Sequence, residues 1–388
     1  MTCSLKKWPG LAAAAFAVLS LVVLPVTLLA DSLADEKELL RVSAVDSMIE
    51  ELGIRESTLP SRELAGWSVP QKVLVRLDKP ERLPALQAVA PGVQLIPVSG
   101  VAEAVAQAAD AQVLIGFCNQ EILSAAPQLV WVQVYSSGVE NCVAIPDMRS
   151  GNKILTNGQR IGSPALAEHA IAMMMALVRG LDVYHANQLR GAWQRNAELG
   201  SGEFMEIEGR IMLVVGLGGI GSQVARRAHG LGMRVIATRN SSRQGPDYVD
   251  YVGLSDELLV LAAKADVVIN TAPLTDQTRG IFDAAFFAAM KPTAYFVSVG
   301  RGASTVTDDL ISALETGQIA GAGLDVTDPE PLPEGHPLWS TPRVLISPHT
   351  AGRSDKSRDR LYLLVQENLR RYVAGEPLLS VVDIERGY

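Results

Sequence analysis

The chain has 388 residues, 48% of them hydrophobic and 20% charged, the balance of a globular protein rather than a disordered or fibrous one. A net charge of −8 offers no basic stripe to neutralise phosphates, so no nucleic-acid partner is expected. The length allows two domains, each able to bury its own core.

Lys6 and Lys7 precede an uncharged stretch over residues 8–30, and Asp31, Asp35, Glu36 and Glu38 follow it. A positive end, an apolar middle and a small residue at Ala30 read as a secretory signal over residues 1–30. The stretch is also long enough to span a bilayer, and Leu28 is unfavourable for cleavage, so membrane attachment through residues 8–30 stands beside that reading. Either way the lysines stay cytoplasmic and the rest is exported, to a periplasm or lumen; a cytoplasmic protein is the alternative. Residues 31–69 are polar with scattered Leu and Ile, and read as a helical or loose extension.

From Lys72 onward, short apolar runs alternate with helical patterns. Residues 73–75, 93–96, 113–115 and 130–134 have strand length and β-branched content, and helices are expected over 81–90 and 101–109. Such alternation implies a parallel sheet covered on both faces. A helix over 164–180 is apolar almost all round, which suggests burial between domains.

A second alternating series starts at Arg210. The strand Ile211-Met212-Leu213-Val214-Val215 runs directly into Gly216-Leu217-Gly218-Gly219-Ile220-Gly221, followed by a helix over 222–231 and a strand over 233–238. Gly216 makes the tight turn, Gly218 lets backbone approach a pyrophosphate, and Gly221 lets helix and strand pack closely. The helix N-terminus then offers free N–H groups and a positive dipole end to phosphates. Cofactor choice is read where the second strand ends, at Thr238-Arg239-Asn240-Ser241-Ser242-Arg243. No acidic residue lies between Glu208 and Asp247 to hold ribose hydroxyls as an NAD site usually does. Arg239, backed by Arg243, suits the extra phosphate of NADP instead. NADP is the preferred cofactor on this reading and NAD the other choice.

Several ordered motifs then carry a resemblance. They are Ser136-Ser137-Gly138-Val139-Glu140, the glycine loop, Thr271-Ala272-Pro273-Leu274-Thr275, Val299-Gly300-Arg301-Gly302, the run from Gly323 through Asp325 to Glu330 and Pro331, and Ser347-Pro348-His349-Thr350-Ala351-Gly352. From Lys72 to the C-terminus the chain resembles the D-isomer-specific 2-hydroxyacid dehydrogenases, in particular their glyoxylate/hydroxypyruvate reductase branch. The resemblance implies two Rossmann-like α/β domains with parallel sheets. The substrate domain is discontinuous, over 70–160 and 347–388, and the cofactor domain at 161–346 is inserted in it. It implies a homodimer as well, through the helix from Pro164 and neighbouring loops.

Reducing a 2-keto acid needs a cation for the carboxylate, an acid for the carbonyl oxygen and a hydride donor over the carbon. Arg301 has the planar fork for the first task. Of the five histidines only His349 follows an expected strand (343–347) with a fixing proline. By resemblance it is the proton donor and Glu330 its partner. A carboxylate beside an imidazole holds one tautomer and keeps a proton available. Ser137 and Gly138 should offer backbone N–H groups to the substrate carboxylate. Contacts to the cofactor are expected from Gly216, Gly218, Gly219, Ile220, Gly221, Arg239, Asn240, Thr271, Ala272, Pro273, Leu274, Thr278, Val299, Gly300, Arg301, Asp325 and His349; no metal is required. The loop after Gln159 departs from the family pattern and leaves the pocket wall undefined. Phosphoglycerate- or phosphite-type dehydrogenases and a non-catalytic, corepressor-like dinucleotide sensor remain alternatives on the same fold.

Cleavage of a signal would leave Cys118 and Cys142 as the only cysteine pair. They follow the strands at 113–115 and 130–134, and neighbouring strands would bring their loops within disulfide reach. Two unrelated thiols are the alternative.

Overall fold

The computed structural model describes residues 26–149, 153–196, 199 and 204–387. The apolar N-terminal stretch lies outside the described residues up to residue 25, and among the described residues no helix is long and apolar enough to cross a membrane. The chain divides into compact units at 1–46 and 47–388. The described part of the first is helical, within the helix Val26–Leu52.

The second unit holds all fourteen strands among the described residues. A short strand β1 (Glu56–Pro60) comes first. Five more then form a wholly parallel sheet: β2 (Lys72–Val75), β3 (Gln94–Pro97), β4 (Val113–Ile115), β5 (Trp131–Gln133) and β6 (Ile154–Thr156), in the order β3-β2-β4-β5-β6. Seven build the next, also parallel: β7 (Ile211–Val215), β8 (Arg234–Thr238), β9 (Tyr251–Gly253), β10 (Val267–Asn270), β11 (Tyr295–Ser298), β12 (Gly321–Leu324) and β13 (Val344–Ile346). Its order is β13-β12-β11-β10-β7-β8-β9, so the order reverses between β7 and β10. Both sheets are doubly wound and Rossmann-like, and loops beyond the strand C-termini at such a reversal are where ligands bind.

The last strand, β14 (Pro377–Leu379), returns to the first sheet's side and pairs antiparallel with β1. Residues 56–60 are therefore stitched to residues near the C-terminus, where a helical or loose extension was expected. A two-stranded edge is held by backbone bonds and need not show the apolar alternation that flags a core strand. The helix Ser357–Ala374 covers the five-stranded sheet, burying Val365, Leu369 and Tyr372 among Val73, Val75, Val113 and Trp131. Trp131 stacks on Tyr372 with ring centroids 5.0 Å apart. Beneath them Asn368 bonds Gln133 at 2.9 Å and both backbone groups of Leu379, tying sheet, helix and β14 together.

The helix Ser163–Val178 is not shared evenly between domains: Met173, Met174 and Leu177 are buried in one cluster with Met212, Val214, Ile269 and Val297 of the seven-stranded sheet. At Gly323 a Cβ would meet the Met173 Cβ at 3.0 Å, so the close seat of this helix uses a bare backbone on β12. Cys118 and Cys142 form a disulfide with Cα atoms 5.5 Å apart. The bridge follows from β4 and β5 being neighbours, and constrains the unfolded chain by about 3 kcal/mol on a loop-entropy estimate.

Candidate active site

Arg301 stands three residues past β11, and its Nε donates to Glu140 Oε1 at 2.9 Å. Glu140 opens the helical turn Glu140–Val143, just after Ser136-Ser137-Gly138 at the end of β5. The pair therefore joins loops of the two sheets. Gly138 makes this geometry possible: a Cβ there would lie 2.0 Å from Arg301 Nη2 and 2.7 Å from Glu140 Oε2. Ser137 Oγ donates to the Gly158 carbonyl at 3.0 Å, and Asn157 Nδ2 donates to the Ser137 carbonyl at 2.7 Å, so this loop is braced from β6. The Cys118 bridge reaches the same turn at Cys142, two residues from Glu140.

His349 follows β13 after Ser347-Pro348, and its Nδ1 pairs with Glu330 Oε1 at 2.6 Å. With an ionised carboxylate the ring must donate from Nδ1, which leaves Nε2 as the ring nitrogen available to a ligand. Nε2 has no protein partner among the described residues, and the ring is about half exposed. The backbone of His349 is left-handed (φ 51°). What holds it is Asp325: buried to 1% exposure, its carboxylate accepts from Ser347 Oγ (2.6 Å), Thr350 N (2.9 Å) and Ala351 N (3.0 Å). His349 N donates to the Asp325 carbonyl at 2.8 Å. Asp325 was expected along the nicotinamide and ribose side. Its oxygens shape the histidine loop, because a buried carboxylate must collect donors and the nearest here are one hydroxyl and two backbone N–H groups.

The glycine loop has the geometry for a dinucleotide. Gly216 has φ 94°, and a Cβ on it would strike Ala272 Cα at 2.9 Å; a Cβ on Gly221 would strike the Gly216 carbonyl at 2.2 Å. Nothing lies within 4 Å of a Cβ built on Gly218, so that face is open for a phosphate at the N-terminus of the helix Gly219–Gly230. Ile220 packs inward against the core. These residues fit a dinucleotide by shape, independent of any motif.

The loop from Thr271 to Thr278 lies beside it but uses its hydroxyls internally. Thr271 Oγ1 donates to the Gly216 carbonyl at 2.7 Å, and Thr278 Oγ1 donates to that of Pro273 at 2.6 Å. Ala272 N donates to buried Asn270, which also bonds Ser304 Oγ at 2.8 Å, and Ser304 Oγ donates to the Arg301 carbonyl at 2.6 Å. Asn270 thus couples the cofactor loop to the arginine loop. Gly300 backs onto Ala272, and Leu274 is half buried. Val299, expected at the nicotinamide, has its side chain in the core. Arg239 donates to the Gln244 carbonyl at 3.1 Å and pairs with no carboxylate among the described residues; Asn240 beside it is exposed. Arg243, expected to back Arg239, is paired with Glu257 at 2.7 Å, so Arg239 stands without it. A carboxylate fourteen residues away in sequence, folded back by β9, was invisible to a local reading of charge.

Glu140, Asn270 and Asp325 are the supporting groups whose work the sequence did not reveal. Glu140 sits inside a quoted motif, but nothing local says that its partner is Arg301.

The model for the D-isomer specific 2-hydroxyacid dehydrogenase NAD-binding domain matches residues 171–351. A glyoxylate reductase of Korarchaeum cryptofilum is 33% identical over 274 residues, covering 69% of this chain and 80% of its own. An NADPH-dependent glyoxylate/hydroxypyruvate reductase of Sinorhizobium meliloti, solved with NADP and sulfate, superposes with TM-score 0.69 at 26% identity, covering 82% of this chain and 100% of its own. A D-isomer specific 2-hydroxyacid dehydrogenase of Xanthobacter autotrophicus Py2, solved with NADPH and MES, gives TM-score 0.69 at 27% identity, covering 81% and 99%.

Because the atom in the way at Gly138 is the mobile end of Arg301, Gly138→Ala should displace the guanidinium rather than unfold the protein. We expect a melting temperature near that of the parent and kcat/KM lowered about 10²-fold, the scale of an ångström-sized misplacement. Parent-like kinetics would show that the Gly138–Arg301 approach is dispensable.

Proposed function

The chain belongs to the D-isomer specific 2-hydroxyacid dehydrogenase family, and from that premise we propose that it reduces a small 2-keto acid of the glyoxylate/hydroxypyruvate type to the 2-hydroxy acid. The observation that carries the proposal is the His349–Glu330 pair, with Nε2 unpartnered among the described residues, beyond β13 on the same C-terminal edge of the seven-stranded parallel sheet as Arg301 beyond β11, whose fork reaches Gly138. The nicotinamide cofactor, NADP or NAD, supplies the hydride. Arg301 grips the substrate carboxylate together with backbone N–H groups of the Ser137–Gly138 loop. Protonated His349 gives its Nε2 proton to the carbonyl oxygen as that oxygen gains charge, while Glu330 holds the ring from Nδ1 and balances the imidazolium. Arg239, paired with no carboxylate among the described residues, supports NADP as the preferred form.

A panel of glyoxylate, hydroxypyruvate and pyruvate with NADPH and NADH tests the reading directly. Oxidation of NADPH is expected with at least one acid, and His349→Ala should lose about 10²–10⁴-fold in turnover. Near-parental turnover by that variant at neutral pH would remove His349 as proton donor, and no turnover with any acid would leave only nucleotide binding.

We also propose that the chain assembles as a homodimer. The helix Ser163–Val178 spends its apolar face on its own sheet, but Leu181, Leu189 and Trp193 in the segment after it are exposed, Trp193 to 87%, and Phe204 is exposed too. Large apolar side chains exposed in this way fit an interface. Sedimentation should give two chains per particle, shifted toward one by Trp193→Asp; a monomeric parent would end this idea.

Export, or attachment to a membrane outside the cytoplasm, is the proposed location. Support comes from the signal-like residues 1–30 and from the Cys118–Cys142 bridge, since disulfides persist in oxidising compartments. Alkylation in intact cells should find both thiols blocked until reduction. Free thiols would place the protein in the cytoplasm.

A further inference from the structure

The turn after β6, residues 159–162, departs from the family pattern, and the structure sets it against the glycine loop. Arg160 has a left-handed backbone, φ 71°. Its stem crosses Gly219, where a Cβ would meet Arg160 Cγ at 2.8 Å and Ser163 Oγ at 3.1 Å. Gly219 is the first residue of the helix Gly219–Gly230, beside the open face of Gly218. A bare backbone at 219 is therefore what admits the arginine.

Beyond the stem, the Arg160 guanidinium donates to the Leu52 carbonyl at 3.2 Å. The neighbouring Ile161 is buried with Leu52, Ile54 and Leu364, so the turn is anchored in a core. Two further cations act on Arg160, namely Arg55 and Arg239. Burial, and then the repulsion of those two arginines, hold the Arg160 pKa below the usual arginine value. Arginine still keeps its proton, and no carboxylate pairs with Arg160 among the described residues. Arg160 thus carries an unpaired charge whose stem lies against a helix N-terminus, and an anion bound there relieves the cost of holding it.

The geometry points to Arg160 as a ligand of the cofactor's pyrophosphate, reaching over Gly219 from the turn between the two sheets. This rests on the nicotinamide cofactor of the proposed function and adds to it a phosphate ligand outside the glycine loop. NADP and NAD share the pyrophosphate, so Arg160 serves both, whereas Arg239 at the end of β8 serves the 2′-phosphate alone.

Calorimetric titration of the full chain with NADP⁺ and NAD⁺ separates these roles without any turnover. Arg160→Met keeps the apolar stem and removes the fork. Its dissociation constants for both nucleotides should rise about 10- to 100-fold, the scale of a charge-assisted hydrogen bond. Arg239→Met should weaken NADP⁺ only. Should Arg160→Met not fold, Arg160→Gln keeps a donor for the Leu52 carbonyl and should show the same joint weakening. Affinities within twofold of the parent for both nucleotides would overturn the proposal, and so would weakening confined to NADP⁺. Failure of the parent to bind either nucleotide would instead sink the cofactor reading on which this one stands.

Discussion

Arg301 and Glu140 are separated by 161 residues and come from loops on different sheets, yet a single 2.9 Å ion pair joins them. Both side chains are part-exposed, so the pair adds little to stability. Its value is positional. Held at Nε by Glu140 and at Nη1 by its own Gly300 carbonyl, the guanidinium lies flat against Gly138, where a substrate carboxylate would have to arrive. The surrounding structure serves that placement from both sides. Asn270 and Ser304 fix the arginine loop, while the Cys118–Cys142 bridge and the Asn157–Ser137 bond fix the opposing one.

The histidine arm is built on a different principle. Its organiser is the buried Asp325 carboxylate, which gathers one hydroxyl and two backbone N–H groups from 347–351 and so forces a left-handed residue at His349. An unsatisfied buried carboxylate would be costly, but here each bond that satisfies it also aims the imidazole. Rigid parallel strands supply the fixed ends, and short loops at their C-termini supply the chemistry.

Most of this frame is legible in the sequence. Apolar runs such as Val113–Ile115 and Ile211–Val215 match their strands residue for residue, because a strand buried on both faces has no polar positions to blur its ends. The glycine helix starts at Gly219, three residues before the sequence suggested, since bare glycines hide a helix start that a capping side chain would announce. β1 was missed because its pairing partner lies at the far end of the chain. Roles that depend on distant partners were equally hidden. Glu140 reaches Arg301, Glu257 captures Arg243, and Arg160 crosses Gly219. Asp325 reads as a polar motif residue until its burial is known.

The central claim is that Arg301 and His349 hold the two ends of one keto acid. A crystal structure with NADP⁺ and oxamate, an unreactive 2-keto acid mimic, tests it most directly. The expected result has the oxamate carboxylate bonded to Arg301 and to backbone N–H groups of the Ser137–Gly138 loop, and its amide carbonyl oxygen within hydrogen-bond distance of His349 Nε2. Oxamate bound elsewhere, with Nε2 facing no ligand atom, would contradict the assignment of both residues.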